Sequence, residues 1–287
     1  MKLLRTRHEG ELLTCAMAQD GTLRDISAML EVRDDRTWMA PELLRPAGER
    51  FEERWQSLAV VPYVPEQLDI PYQPRQLITV GGNFRCHAEQ VGIPLPPEPI
   101  LAMKSMGAAA PPYGVLKLPK GSARVDWEVE LALVIGKAIR QGSTEISFDE
   151  HVAGYCVAND ISDRDWLLQR GGQWVKGKSS DGFGRLGPML VTPQSALPLH
   201  EMTLTCSVNG QLMQSARASE MIFTPHALIT YIATFMSLAP GDTIFCGSPA
   251  GVALGRPGQS YLQSGDVLES GITGLGMQKL VCEAMEG

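Results

Sequence analysis

The sequence predicts a strand-rich α+β protein. Three observations support that class: apolar runs of strand length dominate the chain after residue 75, segments with helical periodicity are few, and strands and helices do not alternate as in a doubly wound sheet. The 287 residues suffice for one large domain, or for one large and one small domain. A hydrophobic content of 44% is ordinary for a globular protein.

Residues 1–70 predict a small N-terminal α/β domain. An apolar strand is followed by a turn at Asp20-Gly21 and by a second strand. That strand leads to a predicted helix that begins at Asp25 or Ser27, since both residue types cap helices. We expect these elements to form a unit of their own.

Prolines accumulate between residues 62 and 74, where they disfavour both a helix and a central strand. The pattern predicts a linker, followed by a main domain at 75–287.

Thr224 caps a predicted helix in that domain, and Asn209-Gly210 predicts a hairpin turn. Its predicted elements, in order, are the strand QLITVGGNF, the short helix RCHAEQVG, the strands RVDWEVELALVIG and HVAGYCVAND, the hairpin LTCSVNGQLMQ, the helix TPHALITYIATFMSL, and the strands in GDTIFCGSPAGV and GDVLESGITGLGMQKLVCEA.

Composition restricts the partners. The net charge of −7 and the pI of about 5.3 argue against nucleic acid or an anionic membrane, so we expect a small-molecule ligand. The six cysteines form no CxxC pair, which favours a reducing, cytoplasmic setting over a zinc or disulfide scaffold. The N-terminal residues carry charges where a signal peptide would need an apolar run, and no run approaches the roughly 18 residues of a membrane span.

Acidic side chains interrupt one apolar strand. In an extended chain Asp126, Glu128 and Glu130 share a face, and the two glutamates are about 6.6 Å apart along the backbone. One interpretation is a solvent-exposed acidic face, which is common in half-buried strands. The other is a site for a hard divalent cation, which prefers converging carboxylates.

The segment VANDISDRD offers a further acid, because an apolar strand ends at Asn159-Asp160. An Asx turn in an ordinary loop would also explain Asp160. Arg164 follows closely, and its guanidinium is suited to bidentate binding of a substrate carboxylate. This segment is therefore the best candidate to complete a metal site.

Other chemistries find little support. The Gly-rich stretch RGGQWVKGKSSDGFGRLGP contains neither GxxxxGK[ST] nor GxGxxG, and CGSPAG lacks the GxSxG of a serine hydrolase. His87, after a strand and two glycines, is either a structural histidine or a general base.

Between about Ile78 and Glu283 the chain contains five motifs, which are, in order, VGGNFRCHAEQVG, DWEVELALVIGK, VANDISDRD, GGQWVKGKSSDGFGRLGP and FCGSPAGV. Together these motifs resemble the fumarylacetoacetate hydrolase (FAH) family. The resemblance implies a catalytic domain of mixed β-roll type, a homodimer, and bound Mg²⁺, with Mn²⁺ or Ca²⁺ as alternatives. It also implies roles for individual residues. The predicted metal ligands are Glu128, Glu130 and Asp160, with Asp126 beside them; the predicted catalytic residues are His87 on a mobile lid helix, Glu89 and Lys178; the predicted substrate-binding residues are Arg85, Lys104, Arg164 and Ser248.

The chain also departs from the family pattern. Gln90 stands three residues after the lid histidine, where many relatives have an acid, and Glu89 stands at plus two instead. Further departures are Leu167 for Gln, Ser180 for Phe, Arg185 for Pro and Ser248 for Thr. The metal ligands are thus retained while residues that handle protons or shape the pocket differ.

Three functional hypotheses follow. The first is a divalent-metal-dependent hydrolase that cleaves a C–C bond in an acylpyruvate or another 1,3-dicarbonyl 2-oxo acid. The second is a decarboxylase, isomerase or tautomerase of a 2-oxo acid, because the metal would stabilise an enolate in those reactions as well. The third is a non-catalytic protein that binds a keto acid.

Overall fold

The computed structural model describes residues 1–30, 57–256, 258 and 260–285. Strands make up 39% of the structure and helices 18%, which confirms the strand-rich α+β class. The strands are β1 (Lys2–His8), β2 (Glu11–Met17), β3 (Leu23–Asp25), β4 (Val60–Val61), β5 (Leu68–Asp69), β6 (Gln76–Gly81), β7 (Ile100–Lys104), β8 (Ala109–Ala110), β9 (Tyr113–Leu118), β10 (Val125–Asp126), β11 (Val129–Ile135), β12 (Val152–Asp160), β13 (Ser162–Asp163), β14 (Gly184–Leu186), β15 (Leu190–Val191), β16 (Thr203–Val208), β17 (Gln211–Arg217), β18 (Asp242–Phe245), β19 (Val267–Ile272) and β20 (Gly276–Ala284).

Helices are short. The α-helices are α1 (Arg85–Val91), α2 (Phe148–His151), α3 (Trp174–Lys178) and α4 (Pro225–Ala233), and a π-helical turn spans Asp165–Gln169. The 3₁₀ turns are Ser27–Met29, Pro65–Gln67, Met106–Ala108, Pro193–Ser195 and Ala218–Glu220. Among the helices of the described residues, none has the length and hydrophobicity needed to span a bilayer.

Two mixed sheets carry the fold. The larger has the strand order β4-β3-β2-β1-β15-β12-β11-β18-β6-β7, with β5 paired to β1 and β14 paired to both β12 and β8. The second has the order β17-β16-β19-β20-β9, and β10 pairs separately with β13. Most pairs are antiparallel, but β6 with β18, β8 with β14 and β9 with β20 are parallel. This mixture confirms the predicted fold of the main region.

Strand β11 lies between β12 and β18 and is buried on both faces. Val129, Leu131 and Leu133 pack in one hydrophobic cluster, while Ala132 and Val134 pack in another. The prediction of one continuous strand through this region was wrong, because β10 and β11 are separate. The reason is that side chains replace strand partners at the break: Glu128 N donates to Asn159 Oδ1 (3.0 Å) and Val129 N to Gln214 Oε1 (3.0 Å).

The N-terminal strands extend the larger sheet, because Lys2 pairs with Val191 across β1 and β15. The predicted turn at Asp20-Gly21 lies between β2 and β3, and Thr22 N donates to Asp20 Oδ1. The predicted helix after it is a 3₁₀ turn, which begins where Ser27 N donates to Asp25 Oδ1 (2.9 Å). The division into domains at residues 70–75 stays a prediction.

Two local predictions in the second half are confirmed. Asn209 and Gly210 connect β16 to β17 with φ of 52° and 77°, the left-handed values that an Asn-Gly hairpin turn requires. Thr224 precedes α4, and its hydroxyl accepts a hydrogen bond from Ala227 N.

Candidate active site

Three carboxylates converge at the neighbouring ends of β11 and β12. Asp160 N donates to Glu128 O (2.8 Å), and this bond holds the two acids side by side. One oxygen each from Glu128, Glu130 and Asp160 lies within 4.8 Å of the others. The side chains are buried, with relative exposures of 6%, 1% and 1% for the three residues, so the exposed-face interpretation of this strand is wrong.

Two buried lysines contact the acids. Lys178 Nζ bonds to Glu128 Oε2 (3.1 Å), Asp160 Oδ2 and Ser162 Oγ (3.1 Å). Lys104 Nζ bonds to Asp160 Oδ1 and to Ile161 O (3.1 Å). Burial alone would lower the pKa of Lys178, but Asp160 and Glu128 raise it above its ordinary value. Burial lowers the pKa of Lys104 to about 8.

Asp126 holds Arg164. The guanidinium donates from Nε to Asp126 Oδ2 (2.9 Å) and from Nη2 to Glu128 Oε1 (2.6 Å). Asp126 also accepts from the backbone N of Ala253 (2.7 Å) and Leu254 (3.0 Å). Asp126 therefore orients an arginine and the loop around residue 253, and it lies beside the three clustered acids as predicted.

The donor set fits a divalent cation. Glu130 accepts a hydrogen bond from Gly247 N (2.6 Å), and burial together with the charges of Asp160 and Glu128 raises its pKa well above the ordinary value. The cluster contains four carboxylates and three cationic side chains: Asp126, Glu128, Glu130 and Asp160, against Lys104, Arg164 and Lys178. With all four acids ionised, one negative charge remains, which a bound cation would compensate, and buried carboxylate oxygens are the ligands that hard cations prefer.

Glu128 and Glu130 line a cavity of about 400 Å³ that His87 also lines. His87 lies on α1 and is 9% exposed. Its Nδ1 is buried and has no hydrogen-bond partner among the described residues. Burial lowers the pKa of His87. The lining of this cavity therefore includes an imidazole whose neutral form is favoured.

Thr79 was missed by the sequence analysis. It lines the same cavity from β6, is 1% exposed, and its hydroxyl has no hydrogen-bond partner within the described part of the chain. Threonine is common in strands, so its presence in QLITVGG carries little signal. A buried hydroxyl without a partner is costly, which makes Thr79 a candidate to bind a ligand oxygen.

Arg85 and Glu89 do not join the acids. Both are exposed on α1, and neither is among the described residues that line the cavity. Each stands two positions from His87, which is about 200° around a helix, so a buried His87 directs both toward solvent. Their assigned roles stay predictions.

The family model described as "Fumarylacetoacetate (FAA) hydrolase C-terminal" matches residues 76–281. The chain belongs to the fumarylacetoacetate hydrolase family. It is 38% identical over 282 residues to a protein named as a hydrolase from Burkholderia multivorans, with 97% of each chain covered.

Solved structures of FAH-family proteins share the fold. A fumarylacetoacetate hydrolase from psychrophilic Exiguobacterium antarcticum is 27% identical with a TM-score of 0.83, covering 99% of this chain and 100% of that one. A 5-carboxymethyl-2-hydroxymuconate delta-isomerase from Mycobacterium smegmatis is 25% identical with a TM-score of 0.75, covering 100% of both chains. The similar proteins thus include a hydrolase and an isomerase.

The residues that depart from the FAH pattern have identifiable contacts. Leu167 is 4% exposed and lines the cavity. Ser248 also lines it, and its hydroxyl donates to Val129 O (2.9 Å) and accepts from Gln214 Nε2 (2.8 Å). Arg185 of β14 donates to three backbone carbonyls, of Gly182, Pro111 and Val115, and so joins β14 to β9 and to the segment before it. Nothing in the structure explains Ser180.

Gln90 links the helix that carries His87 to the loop that Asp126 holds. Its Oε1 accepts from Gly251 N (2.7 Å), and its Nε2 donates to Val252 O (3.0 Å). An acid in this position could accept the first bond but, when ionised, could not donate the second. In this FAH-family chain, Gln90 therefore fixes α1 against the loop instead of supplying a base.

Gln90→Leu is expected to remove both bonds, to destabilise the protein by roughly 1–3 kcal/mol, and to reduce kcat/KM about tenfold, because α1 is held less firmly against the loop. Chemical denaturation and steady-state rates measure the two effects. Gln211→Leu, at an exposed position of β17, is the matched control and should change neither quantity. Equal behaviour of the two variants would contradict the assignment.

Proposed function

We propose that this protein is a divalent-metal-dependent hydrolase that cleaves the C–C bond of an acylpyruvate or a related 1,3-dicarbonyl 2-oxo acid. The observation that carries the proposal is one cavity lined both by the Glu128 and Glu130 carboxylates and by His87. The acids, together with Asp160, suit a cation that binds keto-acid oxygens, and the histidine suits a base that activates water.

Glu128, Glu130 and Asp160 would hold the cation, with Mg²⁺ as the first choice and Mn²⁺ or Ca²⁺ as alternatives. When bound, the cation supplies Lewis-acid stabilisation of the negative charge that develops on the substrate oxygens. Lys178 is held by Glu128 and Asp160 and adds a fixed positive charge beside the proposed cation site. Arg164 is fixed by Asp126 and lines the same cavity, where its guanidinium suits the substrate carboxylate.

His87 is proposed to take a proton from water. The resulting hydroxide adds to the carbonyl carbon remote from the carboxylate, the C–C bond breaks, and the enolate that leaves accepts a proton. The lowered pKa of His87 favours its neutral form near pH 7, which is the form able to accept the proton. Acetylpyruvate and water would thus give acetate and pyruvate.

The second candidate is a decarboxylase, isomerase or tautomerase of a 2-oxo acid. The contacts of Gln90 favour it, because the side chain three residues after His87 is an amide engaged with the backbone and not an acid. His87 would then move a proton between substrate atoms without activating water. The similarity to a solved delta-isomerase is consistent with this alternative.

Solvent oxygen distinguishes the candidates. We expect acetylpyruvate, Mg²⁺ and the protein in ¹⁸O-water to yield acetate with one solvent oxygen, detected by mass spectrometry, and we expect EDTA to stop the reaction. Loss of the diketone absorbance without labelled acetate would favour the second candidate. Calorimetric binding of the keto acid without any turnover would favour a non-catalytic binding protein.

We further propose that the chain acts as a cytoplasmic homodimer on a small-molecule acid, with a small N-terminal domain at residues 1–70 and the catalytic domain at 75–287. The family membership of residues 76–281 supports the second boundary. Sedimentation velocity of the purified protein tests the dimer.

A further inference from the structure

The lining of the cavity is charged in one part and apolar elsewhere. Three of the ionisable groups form one connected set, since Arg164 and Lys178 both bond to Glu128, and a carboxylate oxygen of Glu130 lies within 4.8 Å of one of Glu128. The other walls come from several segments and are mostly aliphatic or aromatic. They include Val80 of β6, Val91 at the end of α1, Ile93 beyond it, Leu167 in the π-helical turn, Trp174 of α3, and Leu254.

The permanent cations among the described lining residues lie at the metal end of the cavity, where Arg164 is proposed to bind the carboxylate of the 2-oxo acid. Among the described lining residues the permanent positive charges are Arg164 and Lys178, and each contacts two carboxylates at the metal end. Lys104 lies behind Asp160 and is 3% exposed. A second carboxylate, at the far end of a substrate, would therefore meet apolar walls without a cationic partner, which is strongly unfavourable.

The position of Trp174 reinforces this apolar character. A Cβ atom on Gly81 would lie 2.5 Å from Trp174 Cζ3, so the absence of a side chain at residue 81 lets the indole ring lie directly against β6. The ring and Leu167 thus form part of a wall that a flat or aliphatic group can contact closely.

We infer that the substrate carries an uncharged alkyl or aryl group at the end remote from its 2-oxo acid, and not a second carboxylate. The inference rests on the proposed function for the charged end of the cavity, and it adds the chemical class of the other end. Each methylene that enters the apolar part should tighten binding about fourfold, from the usual free energy of burying that group.

Two unreactive 2-oxo acids of equal chain length test the inference. 2-Oxohexanoate ends in a methyl group and 2-oxohexanedioate ends in a carboxylate, and neither contains the 1,3-dicarbonyl that hydrolysis requires. Titration calorimetry of the full chain with Mg²⁺ should give a Kd for 2-oxohexanoate at least about tenfold lower than for 2-oxohexanedioate. Equal affinities, tighter binding of the dicarboxylate, or binding of neither compound would overturn the inference.

Failure of the proposed reaction gives a different result. In that case 2-oxohexanoate would still bind more tightly than 2-oxohexanedioate, while acylpyruvates would not be hydrolysed. The binding ratio and the turnover assay therefore test separate statements.

A positive charge placed in the apolar part of the cavity should weaken the preference for 2-oxohexanoate over 2-oxohexanedioate. Leu168 lines the cavity but is 44% exposed, so Leu168→Lys can be tolerated, and we expect it to shift the ratio about tenfold toward the dicarboxylate. Val175→Lys, at a 45% exposed position of α3 outside the described lining, is the matched control and should leave the ratio unchanged. The same shift in both variants, or a shift in neither, would contradict an apolar tail pocket.

Discussion

Glu130→Gln is expected to abolish metal binding and to reduce metal-dependent turnover by at least roughly 10³-fold, while it stabilises the metal-free protein. The amide keeps the shape of the side chain and can still accept the hydrogen bond from Gly247 N. It removes a carboxyl group whose ionisation is opposed by burial and by the charges of Asp160 and Glu128, and with it the cost that this group imposes on the folded metal-free protein. The lost stabilisation of several kcal/mol that a cation supplies accounts for the fall in rate.

The stability effect is measured by thermal unfolding with and without Mg²⁺. We expect the metal-free variant to melt a few degrees above the metal-free parent, corresponding to about 1 kcal/mol, and to gain nothing on addition of Mg²⁺. Retention of Mg²⁺-dependent stabilisation by Glu130→Gln would exclude it as a ligand.

Glu128→Gln provides the contrast. Burial opposes ionisation of Glu128, but Arg164 and Lys178 hold its pKa well below the ordinary value. Removing this charge leaves two buried cations with a weaker partner, and we expect destabilisation by about 3–5 kcal/mol. Both variants replace a buried glutamate by glutamine. If Glu130→Gln stabilises the metal-free protein and Glu128→Gln destabilises it, the effect at Glu130 is not a general effect of charge removal.

The sequence was sufficient to predict most local elements and the acidic pair. Alternation along a strand placed Glu128 and Glu130 on one face, and the structure has their carboxylate oxygens within 4.8 Å. Asp160 is some thirty residues away along the chain, so it could be proposed only as an acid at the end of another apolar strand, and the family resemblance then assigned it as a ligand. The pairing of β11 with β12 supplies the physical reason, because it aligns Val129 with Asn159.

Contacts that depend on distant loops could not be predicted. Asp126 was expected beside the acids, but its hydrogen bonds to Ala253 and Leu254 join segments more than a hundred residues apart. The contacts of Gln90 are of the same kind, since its partners Gly251 and Val252 have no pattern that points to it. The break between β10 and β11 has the same origin, because a side chain from β17 occupies a strand position there.

His87→Asn is the second substitution from which we expect a large loss of activity. It should reduce hydrolysis by roughly 10²–10⁴-fold, the usual contribution of a general base, and leave the affinity for Mg²⁺ unchanged. His87 lines the cavity but does not belong to the group of acids that could hold a metal ion. Steady-state rates and Mg²⁺ titration of the same preparations measure the two quantities.

The pH profile gives an independent test. Burial lowers the pKa of His87, so the neutral, proton-accepting form persists to a pH below the ordinary value of about 6.5. The acidic limb of kcat/KM for the parent should therefore have its midpoint below pH 6.5, and His87→Asn should lose that limb along with the activity. A midpoint above pH 6.5 would contradict the assignment.

His200→Asn is the control, because His200 has a side chain that is 68% exposed, and its rate and profile should equal those of the parent. Full activity of His87→Asn would show that water is activated by another group. If the variant instead loses labelled acetate but still consumes the diketone, His87 serves only the hydrolytic path. The cavity would then support tautomerisation through its acids and bound cation, as the second candidate function requires.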